Sequence, residues 1–113
     1  LVKSFPWKPT GHAGRLPGAI VVLARLASKA LTQNQILILR ILLSESFPSA
    51  TSFVEEISKR FEIPKSTVWF SLRKLRKLQL IEYGNPEIYL TPQGEIITRL
   101  ILYAEKAAFQ KEG

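Results

Sequence analysis

Apolar residues recur with a helical period over most of the chain after residue 18. Ala19–Ala30 is apolar on most sides: Ile20, Leu23 and Ala27 form one stripe, while Val21, Val22 and Leu26 point elsewhere. A helix apolar around most of its girth needs two covered faces, so the second is predicted to meet another subunit. Thr32-Gln33-Asn34-Gln35 fits a capping box, with Leu31 and Ile36 at the staple positions. The helix it opens is predicted to run through Leu43, with Ile36-Leu37-Ile38-Leu39 in the core. Phe47-Pro48-Ser49 interrupts the pattern. Ser52 with Glu55 reads as a second capping box, opening a helix to about Phe61.

Glu62-Ile63-Pro64 reads as a short turn, because Pro64 disfavours helix at Ile63. A helix is predicted from Lys65 to about Leu78, with Val68, Leu72 and Leu75 as its buried stripe. Leu80–Tyr83 and Glu87–Leu90 read as short strands joined by a two-residue Gly84-Asn85 turn. Thr91, followed by Pro92 at the first helical position, caps a last helix to about Gln110. That helix is apolar over about half its circumference, more than one core requires. Residues 1–18, with Pro6, Pro9, Pro17 and three glycines, read as an extended arm. Residues 19–113 then form one mainly α domain with a small β-hairpin: four helices, two strands, one helix.

The length of 113 residues agrees with a single core. No apolar run approaches a membrane span, and a cytoplasmic location with no membrane partner is expected. With no Met in the chain, Leu1 is not expected to be a translation start. There is no Cys and no Asp, and the lone His12 lies in the arm. Thiolate metal sites are therefore impossible, and no phosphate-binding or dinucleotide glycine pattern occurs. No cofactor is expected, and no residues assemble a catalytic site; the expectation is a protein that is not an enzyme.

Charge changes the picture through its position. The net charge is +7, and residues 59–77 hold seven basic residues against Glu62 alone. Residues 78–113 are net acidic. A solvated helix face normally mixes signs, so this concentration points to a surface that docks a polyanion.

The run Ile57-Ser58-Lys59-Arg60-Phe61-Glu62-Ile63-Pro64-Lys65-Ser66-Thr67-Val68, continued by Leu72, Leu75, Leu80 and Ile81, resembles a winged helix-turn-helix. Leu90-Thr91-Pro92-Gln93-Gly94 resembles the Leu-Thr-x-x-Gly that closes the wing in MarR-like regulators of the compact bacterial and archaeal type. The resemblance covers roughly residues 32–110, with the helix-turn-helix at about 52–78, the wing at 80–90 and the C-terminal helix at 92–110. It implies a homodimeric, sequence-specific regulator of transcription that binds double-stranded DNA with helix 65–78 in the major groove. It also implies a small-molecule effector, although no residue identifies one.

The rotation per residue sets which side chains face outward. Opposite Val68 lie Ser66, Phe70, Arg73 and Lys77, flanked by Thr67, Trp69 and Lys74. Lys65 and Ser66 sit at the helix N-terminus, suited to phosphate or base edges. Arg73 is the candidate for a guanine contact; Lys74, Arg76 and Lys77 suit phosphate or rim positions. Phe70 can contact thymine methyls or mark a protein interface, and Trp69 reads as core filling. The expected dimer interface is Ile20, Leu23 and Ala27 with Ile97, Ile101, Ala104 and Ala108. Glu62 and Gln79 stand where this family often uses Gly, and the wing carries Glu82 and Glu87 with no Arg. A winged-helix protein–protein module in a transcription or replication assembly is the alternative.

Overall fold

The computed structural model describes residues 18–112; the side chains of Ile20 and of residues 107–112 lie outside that description. So does the predicted arm, apart from Gly18. The elements are α1 (Gly18–Ala30), α2 (Gln33–Ser44), α3 (Ala50–Phe61), α4 (Lys65–Lys77), β1 (Ile81–Tyr83), β2 (Ile88–Leu90) and α5 (Pro92–Glu112). Their order is the one the sequence predicts.

The capping box of α2 is complete. Gln35 N donates to Thr32 Oγ1 at 3.1 Å, and Thr32 N donates to Gln35 Oε1 at 3.0 Å. Helix α2 lies at the centre of the fold, packed against α4, α5 and β2. Its Ile38 and Leu39 join Phe53, Ile57, Val68, Leu72, Leu75 and Ile81 in one core.

The start of α3 corrects the expectation. Its cap is Ser49, whose Oγ accepts from Ser52 N at 3.1 Å; Ser52 lies inside the first turn and donates to the Ser49 carbonyl at 3.0 Å. The earlier start buries Ala50 and completes an Ala50, Phe53, Val54, Ile57 stripe at helical spacing. Phe47 also does more than interrupt the chain. It forms an antiparallel bridge with Ile88, and its ring stands edge-on to Phe53 at 4.8 Å.

The hairpin pairs Ile81 with Leu90, Glu82 with Tyr89 and Tyr83 with Ile88. Its connection is therefore residues 84–87, not a two-residue turn. Pro86 has no N–H for a ladder, and Gly84 takes φ +124°, a value that L side chains rarely adopt. Beyond the wing, Thr91 joins three elements. Its Oγ1 donates to the Gln79 carbonyl at 2.7 Å and accepts from Gly94 N at 3.0 Å. A Cβ on Gly94 would collide with the Leu80 carbonyl, so the Thr-x-x-Gly spacing locks the end of α4 to the start of α5.

Helix α1 packs along α5, and Ala24 is buried. The outer face of α1 is left bare: Val22, Leu23 and Leu26 are 55%, 57% and 58% exposed. Among the expected interface residues whose side chains are described, Leu23 is exposed and the other four stand differently. Ile101 is only 1% exposed, so it fills the interior of one chain and offers no surface to another. Ile97 is half-buried against the core, and Ala27 and Ala104 are half-buried. Val22 and Leu26, outside the expected stripe, carry the bare surface instead.

Candidate nucleic-acid interface

The turn between α3 and α4 aims the basic helix. Glu62 adopts the left-handed conformation at φ 56°, and its N–H returns to the Ser58 carbonyl. Ile63 N donates to the same carbonyl at 3.2 Å. Pro64 then holds an extended backbone, and its carbonyl accepts from Thr67 and Val68 as α4 begins. Pro64 supplies no side-chain cap, so the first turn of α4 relies on its backbone alone.

Helix α4 buries Val68, Ser71, Leu72 and Leu75, a spacing that turns the rest outward. Of the seven residues expected to face DNA, Ser66, Phe70, Arg73, Lys74 and Lys77 are exposed on the side of α4 away from Val68, Lys65 is exposed in the first turn, and Thr67 is half-buried. Trp69 is half-buried as well. Phe70, Arg73, Lys74, Arg76, Lys77 and Tyr83 line an open groove of about 580 Å³ between α4 and the wing.

Aromatic and ionic contacts fix the wing against this helix. Trp69 meets Tyr83 edge-on at 6.2 Å. The Arg76 guanidinium lies 4.6 Å from the Tyr83 ring centroid, and its Nε is 3.7 Å from Glu82 Oε1. Arg76 is thereby engaged by the wing. The Lys74 ammonium lies 5.4 Å from the centre of the Phe70 ring.

Tertiary pairing also sorts the seven cations of residues 59–77. Arg60 makes a two-pronged contact with Glu45 at 2.9 and 3.2 Å and pairs with Glu56 at 3.0 Å. The hydrogen bond from Arg60 holds the Glu45 carboxyl below its ordinary value, and the same contact raises the guanidinium further above its own. Among the described residues, Lys59, Lys65, Arg73, Lys74 and Lys77 form no ion pair. The uncompensated charge therefore lies mainly on α4. Sequence reasoning missed these two engaged arginines. The i,i+4 spacing of Glu56 and Arg60 was a readable signal; Glu45 and Glu82 reach their partners only through the fold.

Among the described residues, no group of three or more His, Asp or Glu can hold a metal ion, and no helix is long and apolar enough to cross a membrane.

Helix-turn-helix, hairpin and following helix together define a winged helix-turn-helix protein. Residues 32–83, somewhat under half of the chain, match the family described as bacterial regulatory protein, arsR family. Among solved structures, the YusO protein of Bacillus subtilis is 22% identical, with a TM-score of 0.64 over 83% of this chain and 68% of that one. The MarR family protein Rv2887 of Mycobacterium tuberculosis is 18% identical, with a TM-score of 0.56 over 82% of this chain and 70% of that one. At these identities the likeness to the two structures is one of fold. No curated protein matches the sequence. The family matched is one of regulators, not of enzymes.

Proposed function

We propose that the protein is a homodimeric, sequence-specific DNA-binding regulator of transcription, with α4 as the helix that enters the major groove. The observation that carries this reading is the exposed face of α4, where Lys65, Arg73, Lys74 and Lys77 form no ion pair among the described residues. A major groove admits one α-helix, and its flanking phosphates supply the missing counter-charge. In this reading Arg73, at mid-face, reaches a guanine edge, while Lys65, Lys74 and Lys77 position the helix on the backbone. Ser66 and Thr67 lie at the helix N-terminus, near base edges or phosphate. The short wing, with Glu82 and Glu87, adds little affinity. A cytoplasmic location and an effector of unknown chemistry belong to the same proposal.

The bare apolar strip on α1 supports self-association. Val22, Leu23 and Leu26 form its centre, with the half-buried Ala27 and Ala104 proposed at its margin. A two-fold dimer would present two copies of α4 to successive major grooves about 34 Å apart, on a pseudo-palindromic site.

Binding to random duplex pools, measured against salt, tests the proposal. If each protomer neutralises about four phosphates, the log–log salt slope of the dimer is about −7. Arg73→Ala is expected to cost about 1–3 kcal/mol and to relax base preference at one position of each half-site. Lys77→Ala should instead weaken all sequences alike and flatten the slope by about 1 per protomer. Binding indifferent to salt and to both changes would overturn the reading.

A further inference from the structure

Phe70 is an unusual occupant of the face it shares with the cations. Val68, Leu72 and Leu75 are buried, and Trp69 is held against Tyr83, yet Phe70 is 55% exposed. It lies one turn beyond Ser66 and one turn before Arg73 and Lys74, so these four share a surface. Whatever covers this surface must be apolar at the ring and anionic around it. Arg73, Lys74 and Lys77 carry no ion pair among the described residues, and the Lys74 ammonium sits 5.4 Å from the ring. An apolar protein surface would satisfy Phe70 but leave those cations desolvated without partners, at a high energetic cost. The DNA major groove offers both features at once. Its edges are lined with phosphate, and its floor displays one apolar base group, the C5-methyl of thymine.

We propose that Phe70 is a specificity-determining residue that reads thymine methyl groups. It stands at the centre of the groove-facing side of α4, with Arg73, Lys74 and Lys77 holding the ring against the base edges. This inference rests on the reading of α4 as the major-groove helix. It assigns Phe70 to a particular atom group of the DNA, so the chain discriminates thymine from uracil as well as from cytosine.

The test begins by selecting duplexes from a random-sequence pool with the full chain. Each thymine of the winning duplex is then replaced in turn by deoxyuridine, which removes only the methyl. Thymine is expected to be enriched at about one or two positions of each half-site. Removing a contacted methyl should weaken wild-type binding about fourfold, the worth of one buried methyl-sized group. Phe70→Ala should bind the thymine and uracil forms equally, with an unchanged salt slope, and Phe70→Leu should keep part of the discrimination. Because Phe70 is exposed, neither change should disturb folding. Wild-type protein that binds with a steep salt slope but ignores the methyl at every position overturns this inference and leaves DNA binding standing. Failure to bind any duplex at low salt overturns the parent reading with it. Loss of self-association in Phe70→Ala places the ring in a protein interface, and that also overturns the inference.

Discussion

Glu62 and Gln79 hold φ of 56° and 64°, the two positive values among the non-glycine residues described. Each sits at the end of a helix where the chain must reverse, α3 into α4 and α4 into β1. A left-handed conformation costs an L residue roughly 1–2 kcal/mol, which glycine avoids. Glycine returns about 0.4–1 kcal/mol of that through the greater freedom of the unfolded chain. Glu62→Gly is therefore expected to stabilise the protein by about 0.5–1 kcal/mol. Urea unfolding checks this as a higher midpoint at unchanged slope. A lower midpoint would mean that the Glu62 side chain contributes something the backbone argument omits.

Between elements, Arg60 has the most consequential tie. It belongs to α3, yet its guanidinium grips Glu45, the residue that ends α2, as well as Glu56 one turn back. The contact lowers the Glu45 pKa in the folded chain, so the unfolded chain binds that proton more readily. The stabilisation is complete above the ordinary carboxylate range and is lost as pH falls through the lowered folded value. Both partners are solvent-exposed, so the effect is small and weakens with salt. Between about pH 5 and about pH 3, the urea midpoint of the wild type should fall more steeply than that of Glu45→Gln. Parallel profiles would show that the pair contributes nothing to the linkage. The wing is fastened by similar means, with Tyr83 between Trp69 and Arg76 and with Glu82 paired to Arg76. These contacts withdraw one arginine from the basic face and fix the angle between wing and helix.

For the whole molecule, the exposed apolar residues Val22, Leu23 and Leu26 of α1 and the basic face of α4 make complementary demands under the proposed function. In the proposed reading a single α4 would contact few base pairs, and two copies joined in a dimer would bind a longer site with an effective concentration set by the linkage. Replacing Leu23 and Leu26 together by Glu is expected to give a monomer at micromolar concentration, seen by sedimentation. Both side chains are exposed in the protomer, so its melting temperature should move little. Affinity for a palindromic duplex should fall about a hundredfold, while binding to a half-site stays unchanged. A double variant that still dimerises would place the interface elsewhere.

The sequence alone determined the element order, because helical periodicity, the Thr32 capping box, Pro64 and the Thr91-Pro92 start are local signals. It also determined the outward face of α4, since one buried stripe of Val68, Leu72 and Leu75 orients every other side chain of a rigid helix. Partnerships across the chain were out of its reach. Whether Ser49 or Ser52 caps α3 depended on burying Ala50, and Phe47 became a bridging residue only when β2 lay beside it. Ile101 and Leu23 are both apolar helical residues, yet the tertiary packing leaves the first 1% exposed and the second 57%. The same holds for charge. The count assigned seven cations to one stretch, and only the tertiary structure, by bringing Glu45 to Arg60 and Glu82 to Arg76, decided which remain uncompensated around Phe70.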